Sequence, residues 1–295
     1  MKKTVYASLL LLGSLHLSPV LADEQKAEKQ AAETQAVQPK VDANIAKQSA
    51  EERQKIVSEA VEAVADTEKA LLALDANKKD EALKLLEKVT GKLEIILARE
   101  PDLALAPIDI SEVSYDLYAD LDTIKKAIKE ADDALDDGEV QKARHLIAGL
   151  ASEIIIRTTS LPMVSYPAAI QAIVPLIDQG KIDEAKFALV ELLNTLVVTE
   201  EIIPLPLLRA ELLLAEAEIL SEKEKRSEDE NKTLKGILDA AHHQLRMAEL
   251  LGYGKKSDFK TMYDQIDEIK DKSSGGKSGK GWFDKIKQKL ASFKS

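Results

Sequence analysis

Apolar residues recur along this chain mostly at helical spacing. The clearest stripe is Ala82, Leu85, Leu86, Val89, Leu93, Ile96 and Leu97, which line one side of a helix that Pro101 stops. An earlier helix is predicted from Ser49 to about Leu74, where Ser49 and Glu52 have the spacing of a capping box. A third runs from about Ser111 to Leu135, with Leu117, Leu121, Ile124, Ile128 and Leu135 on one side. The β-branched stretch "SEIIIRTTS" could be a strand. However, Ile154 to Ile156 continue the stripe of Val140, Ala143, Leu146, Ile147 and Leu150, so it is read as helix and no strand is predicted.

Three turns resemble one another. Asp75 opens "DANKKDEALKLL", Asp136 opens "DDGEVQKARHLI" and Asp178 opens "DQGKIDEAKFAL". Each places Asn or Gly two residues after the Asp (Asn77, Gly138, Gly180) and Ala seven residues after it (Ala82, Ala143, Ala185). Pro101, Pro162 and Pro204 each follow their Asp by 26 residues. A turn, a helix of about five turns and a proline stop would then recur at spacings of 61 and 42 residues. A fourth, worn copy has Gly254 at the turn and Phe259 at the Ala position. The expected fold class is all-α, an array or bundle of antiparallel helical hairpins with three to four internal repeats.

These turns also resemble calcium loops, but the ligand test fails. With Gly180 at the sixth position, an EF-hand needs oxygen donors at Pro175, Ile177 and Gln179, and a Glu where Lys186 stands. The same test fails at Asp136. In the hairpin reading, Asn77, Gly138 and Gly180 take the left-handed conformation that ends a helix, and the small Ala lets the paired helices approach.

At the N-terminus, Lys2 and Lys3 precede an apolar run from Val5 to Leu17, and Val20-Leu21-Ala22 suits signal peptidase. This reads as a secretory signal (1–22) cleaved after Ala22, which places the protein in the periplasm. The run is shorter than the roughly 20 residues of a membrane span. Residues 23–48 are mostly Ala, Gln, Glu and Lys with almost no large apolar residue, and are read as a flexible leader. The hairpin domain is then 49–272. Losing Lys2 and Lys3 takes the net charge from -11 to -13, which argues against a nucleic-acid partner. The absence of cysteine excludes thiol nucleophiles and Cys-type zinc sites.

Little else points to chemistry. His242 and His243 are adjacent on a helix and point about 100° apart, which is poor geometry for one metal. With Asp239 they make at most a weak zinc or nickel site, and the favoured reading is one histidine half-buried and one exposed. His145 sits alone near a turn. No nucleophile elbow, zinc-protease motif, P-loop or dinucleotide fingerprint is present. No catalytic, cofactor-binding or metal-binding residue is assigned.

The C-terminus changes character. A Gly/Ser/Lys linker (273–281) leads to "WFDKIKQKLASFKS". Trp282, Phe283, Ile286, Leu290 and Phe293 share one helical face, while Lys285, Lys287, Lys289 and Lys294 fill the rest. From Lys277 onward there are six lysines and one Asp. Contact with an anionic membrane surface or a partner protein is one reading of this basic amphipathic helix. Docking on the acidic body and a solubilising tail are the others.

Taken together, the leader, the Asp-x-Gly/Asn hairpins with "EALKLLEKVTGKLEIIL", the block "SYPAAIQAIVPLIDQGKIDEAKFAL" and "LLGYGKKSDFKTMYDQIDEI" resemble the YfdX family of enterobacterial proteins over roughly residues 50–270. The resemblance implies an exported helical protein tied to acid or heat tolerance, with no established catalytic residues. The functional expectation is a non-enzymatic periplasmic stress protein, chaperone-like, binding other proteins between its hairpins and forming a homo-oligomer. The alternative is a small-molecule or lipid carrier held at the membrane by the C-terminal helix.

Overall fold

The computed structural model describes residues 19–293, so the Lys2–Lys3 and Val5–Leu17 parts of the signal, His16 and Lys294 lie outside the described residues. The first described element, α1 (Pro19–Gln54), is one helix that runs through residues 23–48, where a flexible leader was expected. Its Val37, Val41, Ile45 and Ser49 are buried, one per turn. Four residues at this spacing make a stripe narrow enough to be missed in an Ala/Gln/Glu/Lys background. Ser49 therefore lies inside α1 rather than capping the next helix. Its hydroxyl donates to Glu112 at 2.8 Å.

Two helical hairpins follow the chain's periodicity. α2 (Ser58–Asp75) turns into α3 (Lys79–Arg99). Asn77 takes φ 59°; its N–H reaches the Leu74 carbonyl and that of Lys78 reaches Ala73. This pair of bonds satisfies the last carbonyls of α2. After α3 comes a correction: Leu105–Tyr115 is strand β1, not the start of a helix. α4 (Leu121–Asp136) starts only at Asp120, whose carboxylate accepts the N–H groups of Asp122 and Thr123. It turns through Gly138 (φ 75°) into the nine-residue α5 (Val140–Ala148).

Glu153–Pro162, containing the "EIIIRTTS" run, is β2, again not helix. α6 (Tyr166–Asp178) turns through Gly180 (φ 76°) into α7 (Ile182–Leu193), and Val197–Pro204 is β3. The strands form one antiparallel sheet in the order β1-β2-β3, with Ile155 opposite Val113 and Ile202. The fold is mostly helical rather than all-α. Being central, β2 buries Ile154, Ile155 and Ile156 together, so it lacks the alternation that separates a strand from a buried helix segment. Pro162 and Pro204 end strands, where a missing N–H costs no ladder bond; only Pro101 follows a helix.

The rest is helical: α8 (Leu205–Glu222), α9 (Glu228–Leu250), α10 (Lys256–Ser273), a 3₁₀ turn at Ser274–Gly276, and α11 (Asp284–Ala291). A capping box does occur, at Ser227 and Glu230 on α9. Between α9 and α10 the left-handed residue is Gly252 (φ 80°) rather than Gly254.

Three apolar clusters organise the molecule. α2, α3, α6 and α7 enclose one, with Leu86, Leu93, Ile170, Ile177 and Leu189 fully buried. At the turn end, Lys186 pairs with Asp75 at 2.6 Å and Lys79 with Asp178 at 3.8 Å, tying each hairpin to the other's turn. Ala82 and Ala185 have no exposed surface, consistent with close helix approach there. Tyr166 donates to Thr67 at 3.1 Å inside this cluster, and burial pushes its hydroxyl up to about 12. The second cluster joins α8, α9, α10 and α11 with Val37 of α1. The third, smaller cluster joins Val41 and Ile45 to the sheet (Ile110, Ile154, Ile156) and to Leu205 and Leu208. No helix among the described residues is long and apolar enough to cross a membrane.

A Cβ added at Gly180 meets no atom within 4 Å. Gly180→Ala should therefore cost only the backbone strain of a left-handed Ala, about 1 kcal/mol, read as a lower urea midpoint with an unchanged slope.

Candidate functional site

Among the described residues, the most heavily desolvated ion pair joins Arg209 of α8 to Asp116, just beyond β1. The Arg209 side chain is 4% exposed and that of Asp116 17%. Nη1 and Nη2 of the guanidinium donate to the two Asp116 oxygens at 3.0 and 2.6 Å, and Nη2 also donates to Gln38 of α1 at 2.9 Å. Burial works to raise the Asp116 carboxyl, but the Arg209 hydrogen bonds and charge outweigh it and hold the group below its ordinary value. Ser152 donates to Asp116 at 3.4 Å, and the Ser152 N–H reaches the Tyr253 hydroxyl at 2.9 Å. That hydroxyl donates to Glu153 at 2.8 Å. One polar network thus connects α1, β1, β2, α8 and the loop before α10.

Beside this pair lies a cavity of about 330 Å³, lined by Thr34, Tyr118, Asp120, Arg209, His243 and Gln244 among others. Gln244 donates to Thr34 at 3.1 Å. Arg209 Nε and Gln244 Oε1 are buried without a hydrogen-bond partner among the described residues. Burial lowers the His243 pKa while nearby Asp120 raises it, and the net shift is downward. His242 is turned away, its ring 4.7 Å from Tyr263, and its pKa is also lowered, chiefly by burial. Asp239 pairs with Lys270 at 2.8 Å instead of joining the histidines. Among the described residues no group of three or more His, Asp or Glu is placed to hold a metal. His145 is exposed on α5.

The basic C-terminal helix lies on the protein's own body. Phe283, Ile286 and Leu290 are buried in the cluster with α8, α9 and α10, and Trp282 and Phe293 pack against it. Lys287 donates to both Glu218 oxygens at 2.8 and 2.9 Å, and Lys289 to Asp258 at 2.7 Å. The remaining α11 lysine, Lys285, stays exposed. Gly254 makes room for this docking, since a Cβ there would lie 2.3 Å from the Phe293 ring. The linker is anchored as well: Arg226 donates to the Ser273 and Lys277 carbonyls. The apolar face read as a membrane or partner contact is covered in cis, with Glu218 of α8 and Asp258 of α10 pairing with its lysines.

An uncovered apolar surface lies elsewhere. α6 and α7 frame a groove of about 450 Å³, lined by Ala169, Ile173, Leu176, Phe187, Ala188 and Leu192 among others. Phe187 is 68% exposed on its rim, and Val164, just before α6, is 83% exposed.

The YfdX family model matches residues 63–202. A solved structure of Salmonella Typhi YfdX is similar at 15% identity, covering 51% of this chain and 93% of that one, with a TM-score of 0.35. No curated protein matches the chain.

The YfdX region holds the four-helix cluster, the α4–α5 hairpin and almost all of the sheet, including Asp116 and the α6–α7 groove. Arg209 lies outside it, so the buried ion pair joins the YfdX region to the C-terminal helices. Asp75, Asn77, Asp136, Gly138, Asp178 and Gly180 are all at helix-to-helix turns within the region, away from the ion pair. Neither Asp116 nor Arg209 stood out in the sequence, because one charge among many carries no signal until its partner, 93 residues away, is placed.

Removing one partner of a buried ion pair costs about 3–5 kcal/mol. Asp116→Asn should lose about 3 kcal/mol in urea unfolding, on that scale, and Asp116→Asn with Arg209→Met less than the sum of the single changes. The histidines set a different window. Their folded pKa lies below the ordinary 6.5, so the unfolded chain takes up more protons and stability falls as pH drops through and below 6.5. The Asp116 contribution persists until pH falls below its ordinary 3.8. Urea midpoints at pH 7.5 and 5.5 should differ less for His243→Gln than for the parent chain.

Proposed function

We propose that this chain is a non-enzymatic, chaperone-like protein-binding factor of the bacterial periplasm that supports acid and heat tolerance. The observation that carries the reading is the open α6–α7 groove, an apolar concavity with an exposed Phe187 at its rim. Exposed apolar patches of this kind mark interaction sites on water-soluble proteins. The periplasmic address rests on the signal-like residues 1–22, and the stress role on what the similarity of residues 63–202 to the YfdX family implies. The hairpin-array idea enters here too: α2–α3 and α6–α7 pack as two hairpins joined at their turns, presenting the α6–α7 face outward. Self-association would use the outer face of the sheet, where Val198 and Ile202 are 56% and 52% exposed. A carrier docked to the membrane through α11 has no comparable support, since that helix spends its apolar face on the body.

Light scattering of a chemically denatured client tests the reading. The full chain should suppress client aggregation at neutral and acid pH, and Phe187→Asp should lose at least half of that suppression. Because Phe187 is exposed, its replacement should change stability by no more than about 0.5 kcal/mol. No suppression at either pH, or full suppression by the Phe187→Asp chain, would remove the proposal.

A further inference from the structure

Helix α1 is poorly matched to the surface it covers. It contacts α8, α9 and β1, yet among its described side chains only Val37, Val41, Ile45 and Ser49 are buried. Between residues 34 and 54, three buried aliphatic side chains offset little of the entropy lost in ordering that stretch of helix. Pro39 lies inside α1 and has no N–H to give the carbonyl four residues before it.

The seat beneath α1 is larger than α1 fills. The 330 Å³ cavity opens at Thr34 and Gln35, toward one end of the buried stripe. A second cavity, of about 210 Å³, opens at Gln48 toward the other end, against Ile203, Leu207, Leu208, Leu290 and Phe293. Polar matching is incomplete as well. Arg209 and Gln244 each give one bond to α1, to Gln38 and Thr34, and each keeps one buried atom without a partner among the described residues. Both residues are at least 96% buried.

We propose that α1 is a displaceable cover over a docking groove for a basic amphipathic helix of another protein. The groove floor is Leu205, Leu208, Ile110, Ile154 and Ile156, the surface now under Val41 and Ile45. Its rim is acidic: Glu112 takes the Ser49 hydroxyl, Glu216 takes Lys40, and Glu201 lines the cavity at Gln48. The incoming helix therefore carries aliphatic residues every four positions, flanking Lys or Arg, and side chains longer than Val at the ends of its stripe to fill the cavities. A hydroxyl or carboxamide beside the stripe completes the pairing of Arg209 and Gln244. The chain already binds one helix of this kind in cis, since basic α11 sets Lys287 on Glu218 of α8 and Lys289 on Asp258 of α10. This inference rests on the protein-binding reading but uses a surface separate from the α6–α7 groove.

A fluorescent synthetic peptide with the α1 sequence from Ala32 to Gln54 is the probe. It binds in trans only when α1 lifts. Val41→Asp in the full chain loosens α1 while leaving the groove unchanged, and should tighten peptide binding at least tenfold by anisotropy. The same change in the peptide should abolish binding. Equal affinity for the parent and Val41→Asp chains overturns the cover, whether or not the parent suppresses client aggregation; loss of suppression with Phe187→Asp reports on the other groove alone. Hydrogen exchange on the unmodified chain removes any dependence on the variant's folding. Amides of α1 from 37 to 49 should exchange at least tenfold faster than those of α8 from 207 to 217, and equal protection overturns the proposal.

Discussion

The structure turns on the buried ion pair between Arg209 and Asp116. Ordering a guanidinium and a carboxylate out of water is costly unless both are closely met. Here the two-pronged contact, with Gln38 and Ser152 adding to it, meets most of that demand. Its position matters more than its strength. Asp116 follows β1 and Arg209 sits early in α8, so one contact fixes how the YfdX region meets the C-terminal helices. Around it, Tyr253 bonds to Ser152 and Glu153 and carries the link to the loop before α10.

Either side of that joint has a different character. The α2–α3–α6–α7 cluster is closed by aliphatic packing and reciprocal Lys–Asp pairs at its turns, yet leaves the outer face of α6–α7 bare. The C-terminal side covers itself: α11 lays Phe283, Ile286 and Leu290 into the body. α1 lies against it with a narrow stripe, an interior proline and cavities toward both ends of its contact. A protein that binds others needs surfaces that are either uncovered or readily uncovered. In the role proposed above, the α6–α7 groove is the uncovered surface and the seat of α1 the one to be uncovered.

Helix α3, with its unbroken stripe, was fully legible in the sequence, and so were the turns at Asn77, Gly138 and Gly180, because left-handed residues leave a compositional mark. The strands were not. β2 is apolar on both faces, β1 and β3 are short of alternation, and a helix stripe of nearby residues ran into "EIII" without a break. α1 was misread because three aliphatic residues in a polar stretch look like a leader until the seat opposite them is known. The Arg209–Asp116 pair was invisible for the same reason: long-range pairing is a property of the fold. The tail was legible as an amphipathic basic helix but not in its destination, since a membrane and an acidic helix pair offer lysines and aromatics the same terms.

Trp282, the single tryptophan, packs against the C-terminal cluster, so its fluorescence reports on that side, while far-UV circular dichroism reports on all helices. Urea unfolding of the parent chain followed by both signals should give coincident transitions, and Arg209→Met should separate them by moving the Trp282 transition away from the helical one. Separate transitions in the parent, or coincident ones after Arg209→Met, would contradict the ion pair as the joint between the two halves.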